Sequence, residues 1–199
     1  EELGRRFVEF NEEWFEDAER VVALLGRVLE LCPGADWAFD RLKLAFNNAA
    51  RWPELFALYD RALERESERN KNVELLREAA MAAKDFAADG ERAIGYLERL
   101  NALAPGDARV EASLERLYER EGRIRPLIAL LTRRIEQSSG MQQADLVCRV
   151  ARLWLDLGDP VEAYTLLEGM LADPSPRAEV HELLERLVSL PSARDSLVP

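Results

Sequence analysis

Side chains that can move a proton, hold a metal or attack a carbonyl are scarce in this chain. There is one histidine, His181, between Val180 and Glu182, with no second histidine or cysteine at ligand spacing. A lone imidazole of this kind is expected on a helix surface, not as a metal ligand or general base. Cys32 and Cys148 lie far apart and fit no metal or redox spacing, so both are expected to be small helix residues. No Gly-x-Ser-x-Gly elbow exists to present a nucleophile, and no Gly-rich loop has phosphate-binding spacing. Carboxylates are plentiful but follow the outer faces of helical stripes. The expectation is a protein without catalytic residues, cofactor or metal.

Arginine offers a different chemistry. Between residues 109 and 152 stand nine arginines against six acids, a local excess of positive charge. Arg109, Arg116, Arg120, Arg149 and Arg152 fall off the apolar stripes of their segments. A guanidinium fork suits a carboxylate bidentately, so these five are the candidate partner-binding residues, for an acidic peptide or the terminal carboxylate of another protein. The alternative is a salt-bridged surface, with Glu111, Glu115 and Glu119 pairing with Arg116 and Arg120 at helical spacing. Among four tryptophans, Trp14 and Trp154 fit apolar stripes and are expected in the core. Trp37 and Trp52 sit at a helix start and in a turn, where they either pack between repeats or act as partly exposed anchors.

Composition narrows the partner. The 38 acidic and 27 basic residues of the 199 give a net charge of −11. That argues against a nucleic-acid backbone or an anionic membrane, both of which need local positive charge. No apolar run approaches the ~18 residues of a membrane span. No charged-then-apolar segment opens the chain, and a cytoplasmic location is the expectation. The chain does not start with Met, so a fragment or processed form is expected.

The elements that position these residues are helices. The stretch Leu146 to Pro174 shows the pattern most clearly. Val147, Val150, Ala151 and Trp154 step by i, i+3, i+4 and i+7, and Ala163, Tyr164, Leu167, Met170 and Leu171 continue after a turn at Gly158-Asp159-Pro160. Pro174 ends the second helix, because proline cannot continue one. Leu3, Phe7, Phe10 and Trp14 predict a first helix over 2–15, and its acidic face carries much of the net charge. Further stripes predict helices near 18–31, 36–50, 53–66, 72–87, 91–104, 108–121 and 123–137, with a last one at 177–190 and a tail at 191–199. Asp107 is placed to cap the helix that follows it. The helix near 72–87 is apolar on two faces and is expected to be buried on both sides.

The pattern has a period. Pro33, Pro105 and Pro174 are 72 and 69 residues apart, two repeats each time. Val21, Leu55, Ala93, Leu127 and Ala163, each just after an inner turn, are 34, 38, 34 and 36 apart. A helix–turn–helix unit of this length resembles the tetratricopeptide repeat. The family's aromatic, Leu-Gly, Tyr, Ala, Phe and closing Pro places fall on Val147, Val150, Ala151, Trp154, Ala163, Leu167 and Pro174. In the second repeat the corresponding residues are Phe39, Leu42, Lys43, Phe46, Leu55 and Tyr59; in the fourth they are Leu114, Glu115, Tyr118, Leu127 and Leu131. The small residue at the family's eighth place survives only as Ala151 among these.

The resemblance implies an all-α, right-handed α-solenoid of about five repeats plus a C-terminal helix. The repeats would span 2–33, 36–68, 72–105, 108–138 and 142–174 in one array over 1–190. First helices would line a concave face that binds a protein or peptide partner. The family's chaperone-binding lysine clamp does not carry over, since its places hold Asp40, Arg41, Leu44, Asn47 and Asn48. Two other readings stay open. One is a self-associating structural module that forms homo-oligomers; the other is a regulatory repeat region of a larger multidomain protein.

Overall fold

The computed structural model describes residues 2, 4–6, 17–170 and 178–189. The stripe of Leu3, Phe7, Phe10 and Trp14, the stretch Leu171 to Pro174 and the tail lie outside these residues. Ten α-helices and no strand are found among the described residues from Ala18 onward. In order they are α1 (Ala18–Leu31), α2 (Asp36–Asn48), α3 (Trp52–Arg65), α4 (Arg69–Met81), α5 (Gly90–Leu103), α6 (Ala108–Arg120), α7 (Ile124–Gln137), α8 (Gly140–Asp156), α9 (Pro160–Glu168) and α10 (Ala178–Ser189). Helix α4 runs on into a five-residue π turn, Ala82–Phe86. No helix among the described residues is long and apolar enough to cross a membrane.

The protein divides into two compact units, Glu1–Gly106 and Asp107–Pro199. In the first, each helix from α1 to α5 packs on the next. In the second, α6 packs on α7, α7 on α8 and α8 on α9, and α10 covers both α8 and α9. Each unit is therefore made of helical hairpins that touch their neighbours in sequence, as the apolar stripes require.

Four inner turns share one device. Helices α2, α6 and α8 end on Ala50, Gly122 and Gly158 in the left-handed region, at φ 51°, 65° and 79°. The N–H groups of Arg51, Arg123 and Asp159 then donate to the carbonyls of Phe46, Tyr118 and Trp154, five residues back, at 2.8, 2.8 and 3.0 Å. This is the helix-ending bond of a Schellman turn, which satisfies carbonyls the helix would otherwise orphan. After α4 the left-handed residue is Ala88, at φ 53°. There the Asp89 N–H reaches six residues back, to Ala83, at 2.9 Å. The additional residue is the one the π turn inserts. It falls within the 38-residue interval between Leu55 and Ala93, the longest of the series.

The cap expected at Asp107 is present, and two further helices start on a capping aspartate. Asp107 accepts the Arg109 N–H at 3.0 Å, and Asp17 and Asp89 accept those of Arg20 and Arg92 at 3.1 and 3.0 Å. One boundary differs. Helix α4 begins at Arg69, three residues before the expected 72. The run Arg69-Asn70-Lys71 holds no Pro or Gly, and the Asn72 side chain ties this turn to the Glu66 carbonyl at 2.9 Å. The two-faced burial of this helix is present in Leu76, Ala79, Ala80, Ala82 and Ala83, whereas Met81 and Phe86 are exposed.

The left-handed alanines carry strain that glycine would not, since a Cβ in this conformation costs about 1–2 kcal/mol. Ala50→Gly and Ala88→Gly are expected to raise unfolding free energy by roughly 0.5–1 kcal/mol after glycine's larger entropy loss is counted. Gly122→Ala and Gly158→Ala should each lower it by about 1 kcal/mol, with open space around both positions leaving φ as the sole cause. Equilibrium urea unfolding of the four variants checks the signs.

Candidate partner-binding surface

The five arginines divide between two helices. Arg109, Arg116 and Arg120 are seven and four residues apart, so they share the exposed face of α6. The opposite face buries Val110, Leu114, Leu117 and Tyr118. Arg120 donates to Glu121 at 2.9 Å. Arg109 and Arg116 make no side-chain ion pair among the described residues.

Arg149 and Arg152, on α8, are already engaged. Arg149 donates to Glu115 and Glu119 of α6, each at 2.5 Å. Arg152 pairs with Glu179 of α10. Glu115 also accepts from Arg134 of α7 at 2.5 Å, so one carboxylate joins α6, α7 and α8. The alternative reading of the sequence paired Glu115 and Glu119 along α6, with Arg116 and Arg120. The structure corrects this: they pair across helices, because α8 presents Arg149 one repeat later on the side of α6 they occupy. Burial works against the charge on Arg149, yet its bonds to the two glutamates hold its pKa above the usual value.

The first unit has a matching junction. Lys43 of α2 donates to Glu78 of α4 at 2.9 Å, and the Tyr59 hydroxyl of α3 donates to the same carboxylate oxygen at 3.2 Å. Phe39 stands edge-on to Tyr59, with centroids 5.8 Å apart. Burial opposes the charge on Lys43, and Glu78 and Asp40 more than offset it, so its pKa is raised. Lys43 and Glu115 sit at the same place of repeats two and four, and Glu78 and Arg149 lie near that place in repeats three and five. The bond recurs with its charges exchanged. Between them, Ala79 and Ala151 are fully buried. The residues 43, 79, 115 and 151 are spaced by 36 and alternate charged, small, charged, small. Charged and small residues therefore alternate at this place, and each charged one bonds to the next first helix.

Among the tryptophans, Trp37 and Trp52 are half-buried on α2 and α3. Trp37 carries a buried Nε1 without a partner. Trp154, expected in the core, is also half-buried: one side rests on the apolar cluster of α8, α9 and α10, and the other faces a groove. A larger groove, about 900 Å³, opens in the first unit over Leu42 and Phe46 of α2, between α1 and α3. Phe46 occupies the same repeat place as Trp154. His181 is exposed on α10, Cys32 is half-buried and Cys148 is buried. No cluster of three or more metal-ligating side chains occurs among the described residues.

No family model matches this protein, and no curated protein matches it. Solved structures do. The TPR protein YrrB, described as having an unusual peptide-binding site, is 19% identical over 93% of this chain and 90% of its own, with a TM-score of 0.41. A putative kinesin light chain with TPR-like repeats from Podosopora anserina is 18% identical, over 95% of each chain, with a TM-score of 0.40. A thermophilic TPR protein of Thermus thermophilus is 15% identical over 94% of this chain and 96% of its own, at 0.36. The packing of consecutive hairpins within each unit gives the protein its own classification. Its fold is tetratricopeptide-like.

The junctions and the buried phenols can each be tested. Glu115→Gln leaves Arg134 and Arg149 without a shared counter-charge and should cost about 1–2 kcal/mol, since both guanidiniums are partly exposed. A double-mutant cycle with Arg149→Met measures the coupling. The phenols matter at alkaline pH. Burial, then the hydrogen bond and charge of Asp60, push the Tyr96 hydroxyl from 10.0 up to about 12. Burial and the charge of Glu78 also raise Tyr59. A raised pKa stabilises the fold fully below the unfolded value, and this is lost as pH climbs through the folded value. Unfolding free energy should therefore fall between pH 10.0 and about 12, less steeply in Tyr96→Phe, with phenolate absorbance reporting the titration.

Proposed function

We propose that this protein is an interaction scaffold that binds an acidic segment of a partner along the exposed face of α6. The observation that carries the reading is a row of three arginines, Arg109, Arg116 and Arg120, of which the first two make no ion pair among the described residues. In a protein of net charge −11, uncommitted guanidiniums on one helical face are positioned for carboxylates from outside. The helix beneath them is fixed by its buried stripe and by the Glu115 junction, so binding requires little rearrangement. Arg149 braces α6 through Glu115 and Glu119, Arg152 is paired with Glu179 of α10, and neither serves as a free contact. The partner is read as a protein, since a molecule of net charge −11 repels the dense charge of a nucleic-acid backbone.

A fluorescently labelled oligoglutamate peptide is the probe, with binding followed by anisotropy at low ionic strength. Arg109→Glu combined with Arg116→Glu should weaken binding at least about tenfold, or 1.4 kcal/mol. Added salt should weaken the wild type, since exposed charges are screened over about 10 Å at 0.1 M. Equal affinity of variant and wild type would remove the reading.

A further inference from the structure

The groove beside Trp154 has a composition that the α6 face does not explain. It measures about 430 Å³ and runs along α7 past Arg125, Ile128, Ala129, Arg133 and Glu136, with the Trp154 ring of α8 as a wall. Ile128 is buried, Ala129 is exposed and small, and Trp154 has core packing on one side only. The groove floor is thus mostly apolar, with Thr132 its one hydroxyl, and firmly backed. Tryptophan and arginine are the residues that carry most binding energy at protein interfaces, above all when a rigid neighbour holds them in place.

The charges along the groove are ordered. Arg125 comes first, then the apolar centre, then Arg133, then Glu136. Arg133 and Glu136 make no ion pair among the described residues. Arg125 meets Asp159 only at 3.7 Å, with its side chain 74% exposed, an interaction worth little in water. Arg134, one residue along, is by contrast held by Glu115. Arg125 and Arg133 are eight residues apart, which is about 12 Å along a helix axis.

We infer that this groove docks an acidic amphipathic helix of a partner protein. Carboxylates seven or eight residues apart on such a helix span about 10–12 Å and meet Arg125 and Arg133. An apolar side chain four residues after the first carboxylate falls between them, over Ile128 and Trp154. A cation about eleven residues after the first carboxylate meets Glu136 and fixes the direction of the helix. Nucleic acid fits poorly, because Glu136 closes one end and the floor is apolar. None of Arg109, Arg116 or Arg120 borders the groove.

A synthetic helical peptide with Glu, Leu, Glu and Lys at places 1, 5, 8 and 12 tests this, beside a version with every charge reversed. Anisotropy on the 199-residue protein should detect the first peptide and not the second. Arg133→Glu should weaken binding about tenfold and Trp154→Phe several-fold, each by more than Arg109→Glu with Arg116→Glu does. Circular dichroism should confirm folding, since Arg133 is exposed and unpaired. Unchanged affinity in Arg133→Glu would overturn the inference. Loss only in the Arg109/Arg116 variant would also overturn it, and would place the peptide on α6.

Discussion

A helical hairpin has apolar side chains facing two ways, and its own two helices can cover only one of those faces. Everything else in this protein answers that constraint. Helix α10 shows it directly: Val180, Leu183 and Leu187 join Val147, Cys148, Ala151 and Leu155 of α8 and Ala163 and Leu167 of α9 in one cluster. Each buried Val or Leu of the cluster contributes roughly 1.5–3 kcal/mol, which no isolated pair could gain on both sides. The polar bonds follow the same geometry. They run from one hairpin to the next, as in Lys43–Glu78 and Arg149–Glu115.

The inner turn makes the repetition possible. A left-handed residue followed by a backbone bond five residues back reverses the chain in the same way after α2, α6 and α8. Where the sequence holds an additional residue, α4 absorbs it in the π turn, and the bond lengthens by one place. The apolar stripe thus regains its phase before α5. Alanine at two of these turns keeps the shape at an energetic cost, which makes the first unit's turns more strained than the glycine turns of the second.

Much of this was legible in the sequence because packing has a period. Leu42, Leu55, Leu76, Leu100, Leu114, Leu131, Val150 and Leu167 all lie on stripes spaced by three and four, and all are buried. Asp107 was readable as a cap because the cap lies next to the helix it serves. The ion pairs were not readable in the same way. On its own helix Glu115 has arginines only one and five residues on, and it is the register of α8 against α6 that brings Arg149 to it. Trp154 misled for a related reason. Its stripe position says which helix face it occupies, but not whether the neighbouring second helices close over its far side. The free arginines Arg109 and Arg116 were visible as residues off the stripe, and their lack of partners was not.

The exchanged charges of the two junctions have a consequence during folding. Hairpins of equal length and similar apolar faces can dock on the wrong neighbour, a hazard general to repeat proteins. Lys43 brought against Arg149 would meet like charge, and so would Glu115 against Glu78. Each lock accepts its own key and repels the other's. A few polar atoms thereby disfavour mismatched pairings that the greasy faces, being alike, would accept.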